Sequence, residues 1–337
     1  MAAPLACIFG CLGTALTDDE RRFFRATKPL GFILFQRNCE SPKQIRALIA
    51  DMRRCIGRRD APVMIDEEGG RVQRLKPPAW RKRPAAAVIG ELARRNLAAA
   101  LECARLNARL IAEDLAVLGF NVDCAPVLDL KLPITHQAIG DRAYSDDPAV
   151  VSALARAACE GFLDGGIIPV IKHIPGHGRA VADSHVELPR VTAASEELLR
   201  TDFAPFLALR DMPWAMTAHI LFTTLDAAAP ATASKTIIDK TIRGTIGFQG
   251  LLFSDDLSMQ ALEGNLRQRA ERALAAGCDV ALHCNGKMDE MRQVAEAVPP
   301  LTPKALERVE SGLRIVNTRE RIDISAMQAR VDALLAA

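Results

Sequence analysis

A chain of 337 residues with 49% hydrophobic and 25% charged residues has the composition of an ordinary globular protein, and its length suits one α/β barrel of about 250 residues with extensions. A formal net charge of +2 provides no field to gather nucleic acid or acidic membrane, and 4% aromatics leave little for stacking on bases. No window reaches the ~18 consecutive apolar residues of a membrane span.

The amino terminus, MAAPLACIFGCLG, lacks the basic start and the longer apolar run of a signal peptide, so Cys7 to Gly10 reads as a first strand. Further short apolar segments follow at Gly31 to Phe35, Val63 to Ile65, Phe120 to Ala125, Ile167 to Ile171, Trp214 to Ala218, Leu251 to Ser254 and Val280 to His283. Between them lie amphipathic stretches: Asp18 to Ala26, Pro42 to Ile56, Asn96 to Leu118, Pro148 to Leu163, Ser195 to Arg210 and Arg267 to Ala276. Eight strand-then-helix alternations favour a closed (β/α)8 barrel over an open doubly wound sheet. Residues 1–337 therefore read as one catalytic barrel domain, with residues 303–337 as peripheral C-terminal helices. No G-x-G-x-x-G follows a strand and no P-loop lysine motif appears, so no nucleotide cofactor is expected. The nine cysteines are scattered without a CxxC pair, which suits a reducing cytoplasm better than a disulfide framework or a zinc knuckle.

A barrel concentrates its chemistry just after its strands, on the carboxyl-end face. The polar residues of this chain meet that demand. Asp66, Glu67, Glu68, Arg71 and Arg74 follow the third segment; Asp129, Asp141 and Arg142 follow the fourth; Lys172 and His173 follow the fifth. His219, the pair Asp255-Asp256, and His283 follow the last three. After Lys172-His173 comes a glycine- and proline-punctuated loop, Pro175 to Pro189, that adds His177, Asp183 and His185. So many charges on one rim point to a site that grips a polar substrate.

Lys172-His173-Ile174-Pro175-Gly176-His177-Gly178, followed by Asp183-Ser184-His185, resembles the signature of the bacterial β-N-acetylhexosaminidases of glycoside hydrolase family three, in their peptidoglycan-recycling branch. Ile65 to Arg74 is similar to that family's DQEGGRVQR, with Glu67 where glutamine is usual, and Phe253 to Met259 (FSDDLSM) is similar to its nucleophile motif. LFQRN at Leu34 to Asn38, APVLDL at Ala125 to Leu130 and Gly140-Asp141-Arg142 agree. The resemblance spans roughly residues 30–260.

It implies a retaining exo-glycosidase that removes non-reducing β-linked N-acetylglucosamine from muropeptides through a glycosyl-aspartate. Asp255 would be the nucleophile, His185 the general acid/base and Asp183 its partner. Asp66, Arg74, Arg142, Lys172 and His173 would hold the sugar, with no metal and no cofactor. The enzyme would be a cytoplasmic monomer whose partner is a small carbohydrate. A histidine suits the acid/base role, since a free imidazole titrates near 6.5 and adds no second negative charge beside the nucleophile. It would equally serve a phosphorylase that passes the sugar to phosphate, which is the alternative reading. A zinc site from His173, His177, Asp183 and His185 finds no ligand pair on one helix face, and a silent sugar-binding barrel would not need Asp255. His177 reads as a loop-ordering residue, and His219 and His283 read equally well as structural histidines; Asp256 reads as a structural acceptor.

Overall fold

The structure is a computed structural model that describes residues 3–317, 319 and 321–337. Its eight main strands are β1 (Leu5–Phe9), β2 (Pro29–Leu34), β3 (Val63–Ile65), β4 (Val122–Asp123), β5 (Ile168–Ile174), β7 (Trp214–Thr217), β9 (Leu251–Asp256) and β10 (Val280–His283). They close into a parallel barrel in the order β1-β10-β9-β7-β5-β4-β3-β2. All eight apolar segments of the sequence are strands. A small pair, β6 (Arg190–Val191) with β8 (Leu221–Phe222), lies outside the barrel. Their two-residue length gives no alternation to read in the sequence.

Along each strand, alternate side chains enter the barrel, as the two-residue repeat of a strand requires. Ile8, Ile33, Met64, Val122, Val170, Met216, Phe253 and Leu282 fill it above Trp214, which packs its ring 5.3 Å from that of Phe253. The long helices α4 (Leu97–Leu118) and α5 (Pro148–Asp164) form part of the outer layer, each capped by the residue before it, Asn96 and Asp147.

The expected helix from Ser195 to Arg210 is two helices, α6 (Ser195–Arg200) and α7 (Ala204–Ala208). Thr201 leaves helical geometry at φ −117°, ψ −84°, and Asp202 uses the break to accept from Arg179 Nε at 2.6 Å. The break is thus the place where the scaffold takes hold of the histidine loop. Helices α3 (Ala86–Arg95) and α9 (Met288–Ala297), and a wide helical turn at Ile237–Thr245, also form where the sequence reading left no element.

The tail forms two helices, α10 (Pro303–Leu313) and α11 (Ile324–Ala336). Only α11 is peripheral, paired with the outer layer through Arg330–Glu102 and Arg81–Asp332. Contrary to the sequence expectation, α10 joins the inner core: Ala305 and Val309 are buried with Trp214 and Phe253. Leu301 N donates to Pro4 O at 2.8 Å, so this helix closes the amino-terminal mouth of the barrel. The reason is steric as well as hydrophobic. A Cβ on Gly312 would lie 2.5 Å from Trp214 Nε1, so only glycine lets the helix settle this deep.

Replacement of Gly312 by leucine is therefore expected to overpack the floor and destabilise the protein by about 1–3 kcal/mol. Urea unfolding reads this as a lower midpoint, and an unchanged midpoint would show that α10 does not seal the barrel.

Candidate active site

At the opposite, carboxyl-terminal mouth lies a cavity of about 300 Å³. Its lining contains every residue to which the family resemblance gives a catalytic or sugar-holding role: Asp66, Arg74, Arg142, Lys172, His173, Asp183, His185 and Asp255. The deep end is built on ion pairs. Lys172 lies near the carboxyl end of strand β5, is 2% exposed, and places Nζ 2.8 Å from Asp66 Oδ1 and 2.7 Å from Glu68 Oε1. Arg142 donates to both oxygens of Glu68 at 2.8 and 2.9 Å, and Arg74 donates to Asp66 Oδ2 at 3.1 Å while its guanidinium stacks over Phe35.

The electrostatic consequence runs through both signs. Burial alone would raise the Asp66 and Glu68 carboxyls, but Lys172 with Arg74 and Arg142 outweighs it; Asp66 falls far below the usual range and Glu68 falls to about 2. Burial alone would neutralise Lys172, but its two carboxylates hold it charged. Glu68 is the member that the sequence reading did not assign. Its signal was the third acid of a consecutive Asp66-Glu67-Glu68 run at a strand end.

His173 runs on within β5, which extends three residues past the end of the apolar run and shifts register against β7 between Lys172 and Ile174. Asp129 fixes it: Oδ2 lies 2.7 Å from His173 Nδ1, and Oδ1 accepts from the amides of His173 at 3.2 Å and His177 at 2.7 Å. One buried carboxylate thus orients an imidazole and anchors the start of the histidine loop. His177 also packs Nε2 3.2 Å from Ser184 Oγ, and burial pushes its pKa down to about 4, so it is a neutral brace across the loop.

The loop is pinned at both flanks. Thr135 donates to Gly178 O at 2.5 Å and His136 N to Ala180 O at 3.0 Å; on the other side Ala261 N donates to Ser184 O at 3.2 Å. Between these pins Asp183 accepts from the His185 amide at 3.0 Å and lies 2.8 Å from its Nδ1. Partial burial of Asp183 is outweighed by these two bonds, so the carboxyl stays below its ordinary range. The His185 side chain is 68% exposed, so the dyad forms the outer wall of the cavity and Asp255 its inner one.

Asp255 ends strand β9. Burial would raise it, but the imidazoles of His219 and His173 and the amide of Asp256, 2.7 Å from Oδ1, hold it below the usual carboxylate value. Asp256 is occupied elsewhere, accepting from Ser258 N and Oγ and from Cys284 N. His219 bridges Thr232 Oγ1 at 2.7 Å and the Asp256 carbonyl at 3.1 Å. Because a carbonyl only accepts, its neutral ring carries the proton on Nε2 and steadies the end of β9. His283 is buried without a hydrogen-bond partner among the described residues, 3.6 Å from Glu290 and 3.9 Å from Asp256. Neither histidine lines the cavity.

A parallel barrel with a paired-charge pocket, one acid at a strand end and an Asp-His pair on the facing loop defines a sugar-processing hydrolase. Residues 14–318 match the glycosyl hydrolase family 3 N-terminal domain, and the chain belongs to that family. It is 36% identical to the β-hexosaminidase of Bordetella avium over 88% of this chain and 85% of that one. It is 37% identical to the β-hexosaminidase of Methylococcus capsulatus over 98% and 94%. The crystal structure of NagZ from Neisseria gonorrhoeae in complex with N-trifluoroacetyl-D-glucosamine superimposes with a TM-score of 0.88, at 29% identity and 99% coverage of both chains.

The ion cluster makes a pH-dependent prediction. Carboxylates held low stabilise the fold above pH ~4 and lose that contribution as pH falls through their folded values. Lys172→Met removes the shared cation and is expected to cost about 3–5 kcal/mol at pH 7. The deficit should shrink toward pH 5, because Asp66 and Glu68 can then take up protons in the folded variant. Urea unfolding at both pH values tests this; a deficit that grows toward acid would contradict it.

Proposed function

We propose that the enzyme is a β-N-acetylhexosaminidase that removes terminal, β-linked N-acetylglucosamine from peptidoglycan fragments with retention of configuration. The observation that carries this is the meeting of Asp255 with the Asp183–His185 pair in one cavity of about 300 Å³. That volume lies at the lower end of ligand pockets and suits one sugar unit, as an exo-acting enzyme needs. The names of the curated relatives and the N-acyl-glucosamine bound by the structural neighbour support the substrate class. The free cysteines, eight of them buried, suit a reducing compartment, and we place the enzyme in the cytoplasm.

In this reading Asp66, Arg74, Arg142, Lys172 and His173 hold the sugar. Each is already charged or oriented before substrate arrives, so hydroxyl groups meet fixed donors and acceptors, and charge-assisted bonds contribute about 1.5–3 kcal/mol each. Asp255, kept ionised by its surroundings, attacks the anomeric carbon. The leaving oxygen takes a proton from His185. The imidazole, now neutral, removes a proton from water, which cleaves the glycosyl-aspartate and restores both groups. Asp183 holds Nδ1, which presents Nε2 to the reacting oxygen.

Asp255→Ala should abolish turnover on a chromogenic β-N-acetylglucosaminide while leaving the thermal midpoint nearly unchanged, and a fluorinated sugar probe should label Asp255 in the wild type. Labelling at Asp256 would move the assignment by one residue. His185→Ala should lose about 10²–10⁴-fold on a natural disaccharide and far less in glycosylation by a nitrophenyl substrate, whose leaving group departs without a proton. Equal losses on both substrates would reduce His185 to a loop-ordering role. Rates and products with and without phosphate separate hydrolysis from phosphorolysis.

A further inference from the structure

Glu67 stands between Asp66, which lines the cavity, and Glu68, which backs it through Lys172 and Arg142, and does not itself line the cavity. Two residues past the end of β3, it is 2% exposed. There its Oε2 accepts from the amides of Arg74 at 2.7 Å and Leu75 at 3.1 Å, and its own amide donates to Asp123 Oδ1 at 2.9 Å. Gln73 braces the same turn by donating to Leu75 O and Arg81 O. The guanidinium of Arg74 has few holds of its own: one bond to Asp66 at 3.1 Å, the Phe35 ring beneath it, and an Nε that is buried with no acceptor. Where Arg74 points therefore depends on its main chain, and the main chain hangs on Glu67.

We propose that Glu67 is a positioning residue for Arg74, and that gain or loss of a proton at Glu67 tightens or loosens the pocket's hold on the sugar. The inference rests on the reading of Arg74 as a sugar-holding residue. The neutral acid keeps a carbonyl oxygen that accepts both amides. The anion must sit among other acids: Asp123 on β4, whose Oδ2 is buried without a partner, and Asp114 on α4. The Cys39 thiol also faces it, pushed up to about 12 by burial first and by Glu67 second. The nearby cation is Arg74, which is engaged with Asp66.

The direction follows from linkage. Burial raises the Glu67 carboxyl to about 7; the Leu75 and Arg74 amides oppose this and Asp114 adds to it. A carboxyl raised in the folded state stabilises the fold below its ordinary pKa of 4.5 and loses that contribution as pH rises through about 7. The amides favour the anion but burial outweighs them, so the ionised carboxyl is relieved by admitting water beside it, and the turn that carries Arg74 should loosen on the alkaline side of neutrality. Glutamine, which is usual in this position of the family motif, reproduces the neutral form at every pH.

The test compares wild type, Glu67→Gln and Glu67→Ala between pH 5.5 and 8.5. Free N-acetylglucosamine serves as a competitive inhibitor and a chromogenic β-N-acetylglucosaminide as substrate, with urea unfolding followed in parallel. Wild-type Ki and KM should rise about three- to tenfold across neutrality, while Glu67→Gln keeps the low-pH affinity throughout. His185 is common to both proteins, so its titration cancels in the comparison. Glu67→Ala should raise KM more than it lowers kcat. The same slope of Ki with pH in wild type and Glu67→Gln, in enzymes that turn over normally, would overturn this inference alone. Absence of both turnover and inhibitor binding in the folded wild type would overturn the glycosidase reading, and this inference with it.

Discussion

Three cations and two carboxylates share the deep end of the pocket, and none of them tolerates the loss of its neighbours. A lone lysine at the position of Lys172 would shed its proton, and lone acids at Asp66 and Glu68 would gain one. Together they remain ionised, because each supplies the field that burial removes. Such a cluster contributes little net stability over apolar packing. What it supplies is a set of fixed donors and acceptors that water has already left, arranged before any sugar enters.

The rest of the site is divided by rigidity. Asp255, Lys172 and His173 stand on barrel strands, whose partners on both sides leave them little freedom. Asp183 and His185 stand on a loop that the scaffold holds at its flanks through Asp129, Thr135, Asp202 and Ala261. In the proposed mechanism the group that exchanges protons with leaving group and water thus faces solvent, while the proposed nucleophile is enclosed.

Much of this was legible because a barrel couples sequence order to place. Short apolar runs marked the eight strands and the residue types just past them marked the rim, so position put Asp66, Lys172 and Asp255 there and the family motifs singled them out from their neighbours. What stayed hidden depends on partners distant in sequence. Asp129 looked like any strand-end acid until His173 and His177 came to it. Glu68 was one of three consecutive acids, and only its distant partners Arg142, 74 residues on, and Lys172 distinguish it from Glu67. Thr201 breaks a helix whose periodicity runs unbroken, because Arg179 rewards the break. The tail helix α10 reads as amphipathic in the way that an outer helix does. Gly312 decides its placement, by a steric rule that needs Trp214 to be known.

The closure of the barrel also sets a schedule for its assembly. Strand β1 pairs with β10 from Cys7–Ala281 to Phe9–His283, and Pro4 meets Leu301 just before the helix that plugs the floor. A nascent chain leaves the ribosome with its first strand long before its last. Until residues 280–313 have emerged, β1 and β9 are open edges and the Trp214–Phe253 layer faces water. Parallel strands with unpaired edges are aggregation-prone during synthesis. The pocket at the far mouth therefore becomes a working site only once the carboxyl-terminal segment has completed the sheet, so an interrupted translation product would lack the activity.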